Sequence, residues 1–380
     1  MRVCVLTTSL DAFKGGNHLP LFAALPEVEF TIVTGRMKPR DHLFPSNIRC
    51  EVIDTYLGPY YYGCADYLFA RAVLRRYPPS HSFWKAFDVI HINQMLGPAL
   101  LRLKETGIPL FFFIHHPVSA DREVAIQESS LVERWVWRAK YVLLLRFQRR
   151  LCCEIPHVVT VSRMAAERIA TDYGCSASSI HIVPNGVDTD LFAPSDLTRS
   201  DFDAIAIGSF VHPRKGFRYL LEAYRALSSK GLQIADVGRR SALQQAELQE
   251  IPHVRSFGTV PPQELLSLLQ RSSVLLSTSL YEGFGLSLIE AMACGRPAYA
   301  FSGGAVGEVL TPIDPELVVP LRNTEELVRR VQAFLHLSPE ERARRGQSYR
   351  EEVLRLYPLE KSVRALRQFY VRLSMPRTEV

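Results

Sequence analysis

YEGFGLSLIEAMACG, residues 281–295, sets Glu282 and Glu290 apart with seven residues between them and a Gly283-Phe284-Gly285 turn beside the first. An apolar run, Val274–Thr278, stands just ahead of it. A short strand, a glycine turn and a helix-spaced apolar run make a β-turn-α unit, the building block of a parallel sheet. Working outward, the same alternation fills the chain. Strand-like runs are expected at Val3–Thr7, Phe30–Thr34, Val89–Asn93, Pro109–His115 and His157–Ser162. A second series follows at Asp203–Gly208, Gln233–Gly238, Val254–Phe257, Val274–Thr278 and Pro297–Phe301. Helical patterns near 216–229, 241–249, 262–271 and 284–294 separate the second series, and three more follow near 323–336, 339–357 and 359–374. Two series of βα units imply an α/β fold of two doubly wound parallel sheets. The stretch IVPNGVDTDLFAPSDLTRSD, residues 182–201, is rich in chain-punctuating residues and marks the break. The expected division is 1–190, 191–358 and a last helix over 359–380.

Composition excludes several classes. Of 380 residues, 47% are hydrophobic and 22% charged, the profile of a globular protein. The net charge of +6 is too small to argue for nucleic acid, and no zinc-finger spacing or RRM-type aromatic motif supports that partner. The seven cysteines form no CxxC, which points away from a disulfide framework or zinc site and toward a reducing cytosol. The N-terminal apolar run is short for a signal peptide, and no stretch reaches the roughly 20 apolar residues of a membrane span.

In open parallel sheets, ligands lie at the carboxyl ends of strands, so the chemistry is sought in those loops. Gly15-Gly16 follows the first strand and opens a helix, where bare backbone approaches a phosphate or sugar; a plain flexible loop reads the same way. His115, followed by His116-Pro117, ends another strand; it can donate a hydrogen bond or shuttle a proton, or simply cap the strand. Arg214-Lys215-Gly216 stands at a helix start, where adjacent cations and amide dipoles suit a diphosphate; a solvated basic turn is the plain alternative. In the opening stretch the helix amides near Phe284 would hold an anion, Glu290 would accept a ribose hydroxyl, and Glu282 would hold sugar hydroxyls. Two acids, the glycine turn and the cationic loop together point to a polyhydroxylated diphosphate.

On these residues the chain resembles the retaining glycosyltransferases of family 4, of the GT-B fold, over nearly its whole length. The pieces come in order: the paired glycines, His115, VTVS (159–162), PNGVD (184–188), the RKG loop, FGTV (257–260) and YEGFGLSLIEAMACGRP. The resemblance implies that the C-terminal domain binds a nucleotide-diphosphate sugar, UDP- or GDP-linked. Arg214, Lys215 and the backbone at Gly285 and Leu286 would hold the diphosphate, Glu290 the ribose and Glu282 the donor sugar, with Gly283 and Phe284 also in the donor-binding set. Asn185 would join the donor-binding set, His115 would reach the donor sugar, and Gly15 and Gly16 would line the cleft. It further implies a hydroxyl acceptor bound by the N-terminal domain, retained anomeric configuration, no metal and no other cofactor, and a last helix crossing back to the first domain. The family's usual Gly-Arg is Gly208-Ser209 here, and TPIDPELVVP stands where an Asp-Gly…Gly segment is usual. Rivals are a GT-B epimerase or hydrolase and a non-catalytic nucleotide-sugar-binding subunit; without GxGxxG a dinucleotide oxidoreductase fits poorly.

Residues 131–151, LVERWVWRAKYVLLLRFQRRL, carry six Lys/Arg, two Trp and one Glu. They fit either an anionic membrane surface, suiting a lipid-linked acceptor, or a packed helix with a solvated basic edge.

Overall fold

The computed structural model describes residues 1–11, 19–38, 43–55, 63–94, 97–195 and 200–375. The chain divides into two compact units, one of Met1–Arg122, Val132–Pro184 and Glu360–Val380, the other of Glu123–Leu131 and Asn185–Leu359.

The first unit is built on seven parallel strands: β1 (Arg2–Thr7), β2 (Glu29–Thr34), β3 (Ile48–Val52), β4 (Val89–Asn93), β5 (Leu110–Ile114), β6 (Val158–Thr160) and β7 (Ile180–Ile182). Their spatial order is β3-β2-β1-β4-β5-β6-β7. The central strands are buried along their length, as in Leu110-Phe-Phe-Phe-Ile114, because helices cover both faces of such a sheet. The helices here are α1 (Leu19–Ala23), α2 (Cys64–Arg76), the first half of α3 (Val118–Gln127), α4 (Leu131–Glu154) and α5 (Arg163–Tyr173). One side of the sheet packs Ile90, Ile92, Phe112 and Ile114 against Phe69, Val73, Trp84 and Leu151.

The second unit carries six parallel strands: β8 (Phe202–Ile207), β9 (Ile234–Val237), β10 (Val254–Gly258), β11 (Ser272–Ser277), β12 (Ala298–Phe301) and β13 (Val318–Val319). The order is β10-β9-β8-β11-β12-β13, the same winding as in the first unit. Its helices are α6 (Phe217–Ser228), α7 (Ala242–Gln249), α8 (Pro262–Gln270), α9 (Leu286–Ala293), α10 (Val306–Leu310), α11 (Thr324–Leu335) and α12 (Pro339–Leu356). The order reverses between β8 and β11, so the loops leaving these two strands part to opposite faces and leave a crevice at their carboxyl ends.

The helix α13 (Leu359–Ser374) belongs to the first unit. Its Phe369 meets the Phe111 ring edge-on at 4.9 Å, and Tyr370 shares a hydrogen bond of 2.9 Å with His91 Nδ1. The chain passes between the units four times, and next to the last two crossings, within the second unit, the Val187 amide donates to Tyr357 O and the Leu359 amide donates to Val187 O, each at 2.9 Å.

Both parallel sheets and the returning last helix stand as the sequence implied. Among the described residues, three strands of these two sheets escaped it, as did a separate small pair, Leu10–Asp11 with Met37–Lys38. β3 reads Ile-Arg-Cys-Glu-Val and lies at the sheet edge, so it lacks a continuous apolar run; β7 has three residues and β13 two. His115 therefore follows the fifth strand of its sheet, not the fourth.

Candidate active site

Two loops at the switch point of the second unit are strapped together. After β8, His212 caps a short turn, its Nδ1 accepting from the Arg214 amide at 3.1 Å. The turn ends at Gly216, whose φ of +66° opens α6. A Cβ at Gly216 would lie 2.2 Å from Thr278 O, so only glycine lets the two backbones come this close. Thr278 Oγ1 donates to Lys215 O and Gly216 O at 3.2 Å, and the Leu280 amide donates to Arg214 O at 2.7 Å. The cationic turn is thereby fixed against the segment leading to Glu282.

The side chains then form one cluster. Lys215 Nζ donates to Glu282 Oε1 at 2.5 Å, and Arg214 Nη1 donates to Glu282 Oε2 at 3.4 Å and to Tyr281 O at 3.0 Å. All three are largely buried, with 15–19% of each side chain exposed. Burial by itself raises the Glu282 pKa, but the charges of Lys215 and Arg214 outweigh it and hold the carboxyl at about 2. The sequence reading gave the cations to a diphosphate and the acid to hydroxyls separately; the structure joins them.

Glu282 is also held by its backbone. Its amide donates to Gly303 O at 3.2 Å and its carbonyl accepts from the Ala305 amide at 2.8 Å. Gly303 and Gly304 allow this, since a Cβ on Gly304, at φ +64°, would lie 2.3 Å from Glu282 O. Sequence reasoning missed this pair, although two glycines just after a strand carry the same signal as Gly15-Gly16.

The turn ends at Gly285, φ +95°, which caps α9. The helix runs Leu286–Ala293, starting two residues beyond Phe284, and its first-turn amides include the orphan donors of any helix start. Leu288, Ile289, Ala291, Met292 and Ala293 are buried, so α9 is a core helix and its start is rigidly placed. Glu290 is the charged exception. Removal from water pushes its carboxyl up to about 7, and among the described residues no hydrogen bond or ion pair engages its side chain. Glu290 is half-buried, and an acid of that kind is a candidate for an outside donor.

Beside Ser209 the turn is held by a buried arginine. Arg240 Nη1 donates to Gly208 O at 2.6 Å, and its guanidinium lies 4.4 Å from the Phe210 ring centre. It pairs with Asp236 in a site from which water is almost excluded. Asp236 also accepts from Tyr224 Oη and Ser256 Oγ, both at 3.0 Å. Removing one partner of such a pair costs about 3–5 kcal/mol, so Arg240 is a fixed clamp on the Gly208–Ser209 turn. Its signal was Gly238-Arg239-Arg240 at the end of the neighbouring strand.

In the first unit His115 is buried at the end of β5, its ring 5.0 Å from Phe113. Burial, then the neighbouring His116, lower its pKa to about 3, so it is neutral near pH 7. A neutral imidazole can donate or accept a hydrogen bond without adding charge. His116 Nε2 pairs with Asp121 Oδ2 at 3.0 Å. Asn185 is partly buried in the linking segment. Gly15 and Gly16 lie outside the described residues. Among the described residues no group of three or more His, Cys, Asp or Glu could hold a metal ion.

Two Rossmann-like units wound in the same order, with an acid–cation cluster and a helix start at a switch point, define a GT-B protein. Residues 26–191 match the family described as Glycosyltransferase Family 4, and residues 201–336 match Glycosyl transferases group 1. The MMP α-(1→4)-mannosyltransferase of Mycolicibacterium hassiacum is 35% identical over 286 residues, covering 71% of this chain and 67% of the relative. Sucrose-phosphate synthase of Thermosynechococcus elongatus superposes with a TM-score of 0.79 at 22% identity, covering 98% and 99% of the two chains. Anabaena HepE, crystallised with UDP and glucose, superposes at 0.68 with 17% identity, covering 98% and 99%. The chain belongs to glycosyltransferase family 4 and is a glycosyltransferase of GT-B fold.

Proposed function

We propose that the protein is a retaining, metal-independent hexosyltransferase that moves a sugar from a UDP- or GDP-linked donor to a hydroxyl of a glycan or lipid-linked acceptor. The observation that carries this reading is the Glu282–Lys215–Arg214 cluster beside the start of α9. Lys215, Arg214 and the amides at Gly285 and Leu286 would take the diphosphate, stabilising the charge that grows on it as the glycosidic bond breaks. Glu282, kept ionised and oriented by the same cations, would accept the sugar hydroxyls. Glu290 would accept from the ribose. The role toward the donor sugar that the resemblance gives His115 is proposed on the same footing, as are those of Asn185, Gly15 and Gly16. The acceptor oxygen would attack on the leaving-group face and pass its proton to the departing phosphate. Most of the rate would come from positioning and charge stabilisation. A mannosyltransferase relative and the UDP and glucose bound to HepE support a hexose and a nucleotide diphosphate. Seven free cysteines support action in the reducing cytosol.

Calorimetric titration with UDP, GDP and ADP, with and without EDTA, tests the reading. One nucleotide is expected to bind in the micromolar range, unaffected by EDTA. Binding of none, or binding abolished by EDTA, overturns it.

Glu290 gives a pH signature. Its pKa in the folded protein, about 7, lies above the ordinary 4.5. A ribose hydroxyl donates best to the ionised form, so affinity rises as pH climbs through the folded pKa. From about pH 6 to about pH 8 the ionised fraction grows roughly ten-fold, and affinity should follow. The stability contribution runs the other way: it is present below about pH 4.5 and lost as pH rises through 7. Glu290→Gln should leave only the titration of the diphosphate itself, so equal pH profiles for the two proteins would remove Glu290 from the ribose.

A further inference from the structure

Helix α4 is packed over only part of its surface. Its buried side chains, Tyr141, Leu144, Gln148, Leu151 and Cys152, all lie from Tyr141 onward and on one face. None of residues 131–140 is buried. Turned away from the buried face are Val132, Trp135, Val136, Val142 and Leu143, from 40% to 77% exposed. Trp135 and Val136 follow Val132 by three and four, and Val142 and Leu143 follow those two by seven, so the five share one apolar stripe along the outer side. At about 100° per residue, Arg138 falls on one flank of the stripe and Lys140 on the other. Arg146, Arg149 and Arg150 continue the face toward the end of the helix. Two of the flanking cations sit on tryptophan rings, Arg138 at 5.3 Å from Trp135 and Lys140 at 4.4 Å from Trp137.

Helix α2 extends this face. Tyr67 stacks on Phe147 of α4 at 6.3 Å, and a Cβ at Gly63 would touch Leu143 Cβ at 3.1 Å. Beside that contact Tyr67, Leu68, Arg71 and Arg75 are exposed. The acids are few: α4 has six Lys/Arg against Glu133 and Glu154, and Glu154 is engaged by Arg150 at 2.7 Å. The sequence left open a membrane-facing helix or a packed one with a basic edge. The structure packs α4 from Tyr141 onward and leaves the outer stripe uncovered.

We infer that this face docks on an anionic lipid bilayer, with α4 lying in the interface plane. Trp135, Val132 and Val136 would enter the headgroup layer, and Arg138, Lys140 and the arginines after them would meet lipid phosphates. An exposed apolar stripe rimmed by cations matches that surface on both counts. A second copy of the chain fits less well, because a two-fold contact sets the same cations against each other. A nucleic acid offers nothing to a central stripe of Val, Trp and Leu.

Vesicle flotation tests it on the whole protein, with phosphatidylcholine alone and with added phosphatidylglycerol, reading tryptophan emission in parallel. The protein should float with the anionic vesicles and its emission shift to the blue. Binding should fall about ten-fold or more in strong salt or without phosphatidylglycerol. Val132→Glu/Trp135→Glu should abolish flotation while melting temperature and nucleotide binding stay those of the parent. No flotation with anionic vesicles overturns the inference, and so does equal flotation with neutral ones. Self-association that the double variant abolishes, without lipid binding, assigns the face to a second copy instead. Nucleotide titration of the same preparations separates failure here from failure of the donor reading.

Discussion

Glu282→Gln is expected to lower turnover 10²–10³-fold, about 2.7–4 kcal/mol of transition-state stabilisation, while nucleotide-diphosphate affinity holds or rises. The reasoning starts from the cluster. In the free protein Lys215 and Arg214 are held by the Glu282 carboxylate, which would compete for them with an incoming anion. Glutamine keeps the shape but removes the charge, so both cations become wholly available to a diphosphate. Binding of the nucleotide alone therefore does not suffer. Transfer should, because on the proposed role the sugar would lose an ionised acceptor for its hydroxyls at the reacting end. The folded pKa of Glu282 lies below the ordinary 4.5, at about 2. Its contribution to stability is thus present above about pH 4.5 and lost as pH falls through 2. The variant should melt below the parent at neutral pH, and the gap should close in acid. Turnover within a few-fold of the parent, or nucleotide binding lost in step with turnover, would remove Glu282 from the sugar.

What the sequence revealed follows from which interactions are local. The βα alternation was legible because buried central strands such as Leu110–Ile114 need unbroken apolar runs and each helix needs its own stripe. The glycine turn before α9 was legible because a positive φ and a helix start both mark single residues. Edge strands were not, since β3 is covered on fewer sides and keeps Arg49 and Glu51. The pairing of Glu282 with Lys215 was hidden for a different reason. It spans 67 positions and depends on the switch between β8 and β11, which is a property of strand order. The same applies to Arg240, which reaches Gly208 over 32 positions. Ser209 in place of the family's arginine reads as a lost charge, and the buried guanidinium of Arg240, paired with Asp236, holds the backbone of that turn without restoring the charge. Helix α4 shows the complementary limit: periodicity gave the helix, but which side of it stays bare depends on what the rest of the unit covers.

Gly304→Ala should then damage the site from behind. At φ +64° an alanine costs about 1–2 kcal/mol in backbone strain alone. Its Cβ would also stand 2.3 Å from Glu282 O, against backbone with no side chain to swing aside. The parallel bridge between Glu282 and Gly304 has to open, and with it go the contacts from Gly303 O and to the Ala305 amide. Glu282 then loses its fixed height above the cations, and a shift of about 1 Å in a reacting group is worth roughly 10²-fold in rate. Loss of stability should exceed about 2 kcal/mol, seen as a lower melting temperature. Gly307→Ala is the matched control, three residues on in α10, where a Cβ meets nothing within 4 Å. Alanine favours a helix there by about 1 kcal/mol, so that variant should keep parental activity and melt no lower. Damage of equal size in both would mean that the segment tolerates no change anywhere. Damage confined to Gly304 would show that the geometry of the acid, and not only its charge, is set by two glycines on the adjoining strand end.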